Sequence, residues 1–176
     1  RSQHHDIVGA ATPYWIVAWP GGQGLARYLL DTPQLVSEKR VIDLGCGNGL
    51  VAVAAAIAGA RSVVAMDTDP NALVCASETA RRNNVSIEIE RGDLRNYEPG
   101  PVDLVCAGDL WYERATGRLA TGCLGRLKQA RSTVLFCDAG RSFRPRSDVV
   151  CLETYRLPVS REFESSATLS VRICTL

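Results

Sequence analysis

The chain has 176 residues, a formal net charge of +1 and 46% hydrophobic residues. That length suits one domain with a core of its own, and the near-zero charge argues against a broad field for nucleic acid or a membrane surface. No apolar run reaches the roughly 18–20 residues a bilayer-spanning helix needs.

Seven cysteines, at positions 46, 75, 106, 123, 137, 151 and 174, are an odd number without a C-x-x-C pair. They read as buried thiols in a reducing compartment rather than as a disulfide framework or a zinc site. No metal is expected. The expected location is a bacterial cytoplasm, or the mitochondrial matrix if the source is eukaryotic. His4 and His5 are adjacent in the first residues and read as tail, not as ligands. The chain begins Arg1-Ser2-Gln3-His4-His5 without Met, so its start reads as trimmed and a targeting segment ahead of it stays open. The eighteen arginines against two lysines, Lys39 and Lys128, fit a GC-rich genome better than a physical demand.

In chain order, residues 1–12 have no period and read as a mobile lead-in. Residues 13–23 carry Tyr14, Trp15 and Trp19 and end in a turn, Pro20-Gly21-Gly22-Gln23. Trp15 is expected to do ordinary core or lid packing. Trp19, on a bend, is expected to wall a cofactor. Residues 23–30 predict a helix with Leu25, Leu29 and Leu30 on one face. A strand over 39–44 runs into Gly45-Cys46-Gly47-Asn48-Gly49, then a helix over 50–59 closed by Gly59. A strand over 61–66 leads into a helix over 71–83, with Pro70 at its first position and Asp69 as its cap. A less buried strand spans 85–90. A strand over 102–107, a helix over 114–130 and a strand over 132–137 follow. Gly117, Gly122 and Gly125 weaken that helix by about 1 kcal/mol each unless packing needs them. Residues 142–147 are loop, and 149–157 and 168–174 are two further strands joined by a long connector. The alternation predicts a three-layer, Rossmann-like α/β fold, with a mostly parallel seven-stranded sheet and an antiparallel C-terminal strand. No helix is visible between the strands at 85–90 and 102–107, so a short crossover is expected there.

Strand, glycine turn and helix N-terminus form a nucleotide-type site, because the backbone can approach a ligand and the helix start offers unpaired N–H groups. Asp67 stands 18 residues beyond Gly49, where an acid can take both hydroxyls of a ribose. Asp93, one strand further out, is level with an adenine. Gly47 to Ala52 also satisfies G-x-G-x-x-A, so a dinucleotide-dependent oxidoreductase is a distant alternative. Against it stand the acid Asp43 directly before the glycines, the lack of room for a substrate domain, and the absence of a hydride-transfer histidine or lysine near the later strand ends. A cationic cofactor explains Asp43.

Asp43-x-Gly45-x-Gly47-x-Gly49 with Asp67 resembles the first two motifs of class I, seven-stranded S-adenosylmethionine methyltransferases. Residues 102–112, ending Asp109-Leu110-Trp111-Tyr112, resemble the Asp-x-x-Tyr/Phe strand motif of one group of protein lysine methyltransferases. Residues 13–31 are very similar to the segment before the first motif in the electron transfer flavoprotein β-subunit lysine methyltransferases. Asp138-Ala139-Gly140-Arg141 resembles that family's Asp-Pro-Gly-Arg, with Ala139 departing from the proline. The resemblance covers residues 13–141; the last 35 match in pattern only.

It implies S-adenosylmethionine as cofactor and a single domain over 1–176, with 1–38 as lead-in and cofactor-covering helix. The implied cofactor set is Trp19, Gly22, Asp43, Gly45, Gly47, Gly49, Asp67, Thr68, Asp93, Leu94 and Asp109. The implied catalytic pair is Asp109, holding a substrate ammonium, and Tyr112. Trp111 and Tyr112 are expected to wall the channel for the lysine chain, with cation–π contact. Asp109 also reads as an N-cap of the helix after it, and Arg141, Arg144 and Arg146 as a solvated loop or a dock for protein substrate. The implied function is protein lysine methylation of the electron transfer flavoprotein β-subunit by a monomer that binds no nucleic acid and no membrane. A small-molecule amine, another protein, or a non-catalytic cofactor-binding scaffold are the alternatives.

Overall fold

Alternation in the strands decides which face each residue covers. In β1 (Arg40–Leu44), Val41 turns to one face of the sheet, and Ile42 and Leu44 to the other. The structure, a computed structural model, describes residues 13–159 and 167–176. The expectation for residues 1–12 lies outside these, as does most of the connector before the last strand.

After a 3-10 turn at Tyr14–Ile16 come α1 (Pro20–Asp31) and β1, then α2 (Leu50–Ile57), β2 (Ser62–Asp67) and α3 (Pro70–Arg82). The chain continues with β3 (Glu88–Arg91), β4 (Leu104–Ala107), α4 (Arg114–Gln129), β5 (Thr133–Asp138), β6 (Val150–Pro158) and β7 (Thr168–Thr175). Among the described residues the sheet has seven strands in the order β3-β2-β1-β4-β5-β7-β6. β3, β2, β1, β4 and β5 are parallel, and β7 is antiparallel to both β5 and β6. This is the expected three-layer architecture.

One face of the sheet is covered by α1, α2 and α3 through residues such as Leu25, Leu29, Ala52, Ala55 and Ala76. The other is covered by α4, through Ala120, Cys123, Leu124 and Leu127. No helix joins β3 to β4; Leu94 and Tyr97 from that crossover fill the space on the α4 face instead. Asp69 caps α3 by accepting from the Asn71 amide at 2.8 Å, with Pro70 at the first position, as expected.

Several local expectations are corrected. α1 starts at Pro20, three residues early, because proline suits the first helical turn and the glycines there face close neighbours. Leu30 is exposed, since it lies about 140° around the helix from Leu25, whereas Leu29, four residues on, shares the buried face. β3 begins at Glu88 and is exposed throughout. In α4 only Gly117 is demanded by packing, where a Cβ would meet the Phe143 Cβ at 3.0 Å; at Gly122 it would meet nothing nearer than the Arg126 Nη1 at 4.0 Å, and at Gly125 nothing at all within that range. Five of the seven thiols are buried, Cys75 is half-buried, Cys151 is exposed, and none is in a disulfide.

Candidate active site

The carboxyl ends of β1, β2 and β4, with the segment after β3, surround a cavity of about 820 Å³. That is the size range of small-molecule and cofactor pockets, and it lies where β1 and β4 diverge, the switch point of such a sheet. Trp19, Gly22, Asp43, Gly45, Gly47, Asp67, Thr68, Asp93, Leu94, Asp109 and Tyr112 of the expected set all line it. Gly49 and Trp111 do not.

The three glycines of the loop have positive φ, but they serve different ends. A Cβ on Gly49, at φ +78°, would meet the Ala76 Cα at 2.8 Å, so this glycine seats the start of α2 against α3 rather than touching a ligand. A Cβ on Gly47 would meet nothing nearer than the Trp15 Cα at 3.7 Å. Gly47 therefore opens its backbone to the cavity beneath the N-terminal segment. Trp15, half-buried in that segment, lines the cavity as a lid and not as core.

Asp67 ties the loop to β2. Its Oδ2 accepts from the Gly47 amide at 3.0 Å and its Oδ1 from the Asp69 amide at 3.0 Å. Each carboxylate oxygen keeps further accepting capacity toward the cavity. Asp43 is buried, and its Oδ2 accepts from the Ala52 amide in the first turn of α2 at 3.0 Å. Burial pushes its carboxyl up to about 8; the Ala52 amide opposes that shift and the Asp67 charge adds to it. Asp93 is held by Arg95, whose Nε lies 3.0 Å from both carboxylate oxygens. The Arg95 hydrogen bond pulls its carboxyl down to about 2.

Asp109 stands between two donors. The Gly21 amide, in the first turn of α1, donates to Oδ2 at 2.5 Å, and Arg141 Nε donates to Oδ1 at 2.8 Å. A Cβ on Gly21 would sit 2.5 Å from Asp109 Oδ2, which is why α1 begins with glycine after its proline. Asp109 is therefore not the cap of α4; Glu113 holds that position. The arginines after β5 are not a solvated run either. Arg141 meets Asp109 and lies over the Trp19 ring at 5.9 Å, and Arg144 Nε pairs with Asp138 at 2.8 Å. Arg146 alone of the three is exposed.

Trp111 is corrected from channel wall to core. It is 1% exposed, packs on Phe136 with centroids 5.2 Å apart, and donates from its indole to Thr121 Oγ1 at 3.1 Å. The place expected for it at the mouth is taken by Tyr14, stacked on Tyr112 with centroids 5.9 Å apart and planes 20° apart. Tyr14 also lies beside Trp19, and the Trp19 indole donates to the Tyr14 carbonyl at 2.8 Å. Sequence reasoning missed Tyr14 as a site residue, and named Arg141 without its pairing to Asp109. The aromatic run at 14–19 was the available signal for the first, and the β4–β5 adjacency for the second.

A family model described as ribosomal protein L11 methyltransferase (PrmA) matches residues 26–110. The electron transfer flavoprotein β-subunit lysine methyltransferase of Xenopus laevis is 41% identical over 132 residues, covering 74% of this chain and 54% of that protein. The human protein of that name is 40% identical over 143 residues, 77% of this chain and 53% of its own length. The chain thus spans about half the length of the curated relatives it matches. Among solved structures, a Thermoplasma acidophilum protein superposes with a TM-score of 0.64 at 21% identity, over 86% of each chain. The ribosomal protein L11 methylase of Lactobacillus delbrueckii gives 0.63 at 20% identity, over 89% of this chain and 79% of that one. By strand order, sheet direction and structural likeness, this chain has the seven-stranded Rossmann-like fold of class I S-adenosylmethionine methyltransferases.

Proposed function

We propose that this chain carries the catalytic site of an S-adenosylmethionine-dependent protein lysine methyltransferase that modifies the electron transfer flavoprotein β-subunit. The observation that carries the reading is Asp109. It is a carboxylate fixed at the end of β4, on the wall of the cavity, with Tyr112 and Tyr14 stacked at the mouth. The sequence relatives support the choice of substrate.

The residues fit the cofactor. Gly47 leaves room for an adenosine to lie against the backbone, and Asp67 keeps accepting capacity for two hydroxyls. Thr68, Asp93 and Leu94 line the end of the cavity beyond β2 and β3, suited to an adenine, while Asp43, whose carboxyl burial pushes up to about 8, would be drawn to ionise by a cationic methionine portion beside it. When bound, S-adenosylmethionine supplies a methyl carbon activated by its sulfonium, which a neutral amine can displace.

The chain's own work is on the amine. A lysine arrives protonated, with an ordinary pKa of about 10.4. Asp109 receives the ammonium through a charge-assisted hydrogen bond and aims its nitrogen. Tyr14 and Tyr112 flank the alkyl chain and shed its water. The ammonium proton leaves to solvent, and the nitrogen lone pair is then free to attack.

Incubation with labelled S-adenosylmethionine and purified electron transfer flavoprotein β-subunit, read by mass spectrometry, is expected to label a lysine. Asp109→Asn should bind cofactor yet lose about a hundredfold in rate. An unlabelled subunit, or a fully active Asp109→Asn, would overturn the reading. Ribosomal protein L11, run alongside, tests a second reading that rests on the family match over residues 26–110.

A further inference from the structure

One side chain on the cavity wall, set in a loop that is itself pinned, is not used by the reaction above. Arg141 follows β5, the neighbour of β4, and Asp109 follows β4. Its Nε donates to Asp109 Oδ1 at 2.8 Å, and its side chain is 23% exposed. Its backbone is held as well. Arg144 Nη1 donates to the Arg141 carbonyl at 3.0 Å, and Arg144 Nε pairs with Asp138 at 2.8 Å. Asp138 is 5% exposed, also accepts from Arg172 of β7, and takes the Gly140 amide at 2.8 Å. Phe143 packs the same loop onto Gly117 of α4. A surface arginine needs no such bracing.

We propose that Arg141 sets the protonation of the incoming lysine by sharing the Asp109 carboxylate with it. This inference rests on the function proposed above. A lone carboxylate beside a lysine stabilises the ammonium and so opposes attack. A guanidinium on the same carboxylate cancels most of that charge. Asp109 can then still accept a hydrogen bond from the amine without holding it protonated. Arginine suits the task because it stays charged at every working pH and its planar fork leaves donors directed at one carboxylate. Arg141 is a positioning residue in this scheme, acting on the amine through Asp109.

Other ionisable groups face the pair and have to be separated from it. From β1, Asp43 lines the same cavity, with its carboxyl pushed up to about 8 by burial. From β2, Asp67 lines the far wall, and beyond β3 the Asp93–Arg95 pair does so. At the mouth, the half-exposed Tyr14 and Tyr112 line the cavity as well. From β5, the buried Cys137 thiol is pushed up by burial and then by the Asp109 charge, and Asp138 is neutralised by Arg144 and Arg172. All of these remain in place in an Arg141 variant, so the difference between two pH profiles isolates Arg141.

The test compares wild type, Arg141→Gln and Arg141→Lys on the electron transfer flavoprotein β-subunit. Under saturating cofactor, kcat is measured from pH 6.5 to 10. The acid limb of Arg141→Gln should move up by at least one pH unit, a tenfold loss at neutral pH that recovers at high pH, and Arg141→Lys should restore much of it. A second readout needs no turnover. With S-adenosylhomocysteine bound, wild type should release a proton on binding the subunit at pH 8, measured by calorimetry in buffers of different ionisation heat, and Arg141→Gln should release less. Equal loss of rate at every pH, or equal proton release, would overturn the inference and leave the function standing. A wild-type chain that methylates no lysine would overturn both.

Discussion

At the end of β1, Asp43 is a buried carboxylate that accepts one backbone amide. Its carboxyl is raised to about 8 in the folded chain against an ordinary 3.8. Between those values the native state holds a proton that the unfolded chain has released, so stability is highest at low pH and falls as pH rises toward 8. The cofactor-free protein should therefore lose thermal midpoint from pH 5 to pH 8, by a free energy on the order of a few kcal/mol. Asp43→Asn, which keeps an acceptor for the Ala52 amide, should flatten that slope. Matching slopes in calorimetric scans would show that Asp43 ionises without penalty. Asp43 and Asp67 were legible in the sequence because motif spacing places them at strand ends. The pairing of Arg141 with Asp109 was not, because it spans 32 residues and exists only through the pairing of β4 with β5. Trp111 misled for a related reason. An aromatic next to a motif acid suggests a wall, but here the chain turns it inward onto Phe136 and leaves Tyr112 outside.

At the scale of elements, the glycine loop divides its labour. Gly47 opens onto the cavity and Gly49 lets α2 and α3 approach. Gly49→Ala must adopt a left-handed φ, which costs about 1–3 kcal/mol, and must also displace Ala76. A fall of several degrees in thermal midpoint is expected, at about 2–4 °C per kcal/mol for a chain of this size. Gly100→Ala, where a Cβ meets nothing within 4 Å, is the control and should change the midpoint little. Equal midpoints for the two variants would contradict the packing role. The α-helices and strands within 13–159 were legible because hydrophobic periods and caps agree, as at Asp69-Pro70, whereas the 3-10 turns at Tyr14–Ile16 and Pro33–Leu35 were not. One boundary that failed by three residues, the start of α1, failed because Pro20-Gly21-Gly22 reads locally as a turn. Its helical state depends on the close seat of Gly21 on Asp109, a contact made 88 residues away.

At the scale of the whole molecule, the sheet order brings the ends of β1, β2 and β4 and the start of α1 around one cavity. The central claim is that this cavity takes S-adenosylmethionine through Asp67 and the glycine loop, and that it does not take a dinucleotide, although Gly47 to Ala52 also satisfies the dinucleotide pattern. Titration calorimetry of S-adenosylmethionine, S-adenosylhomocysteine and NAD into wild type and Asp67→Ala tests it most directly. The account predicts micromolar binding of the first two ligands to wild type, no heat with NAD, and no binding to Asp67→Ala of unchanged thermal midpoint. Binding of NAD, or retained micromolar binding by Asp67→Ala, would contradict it.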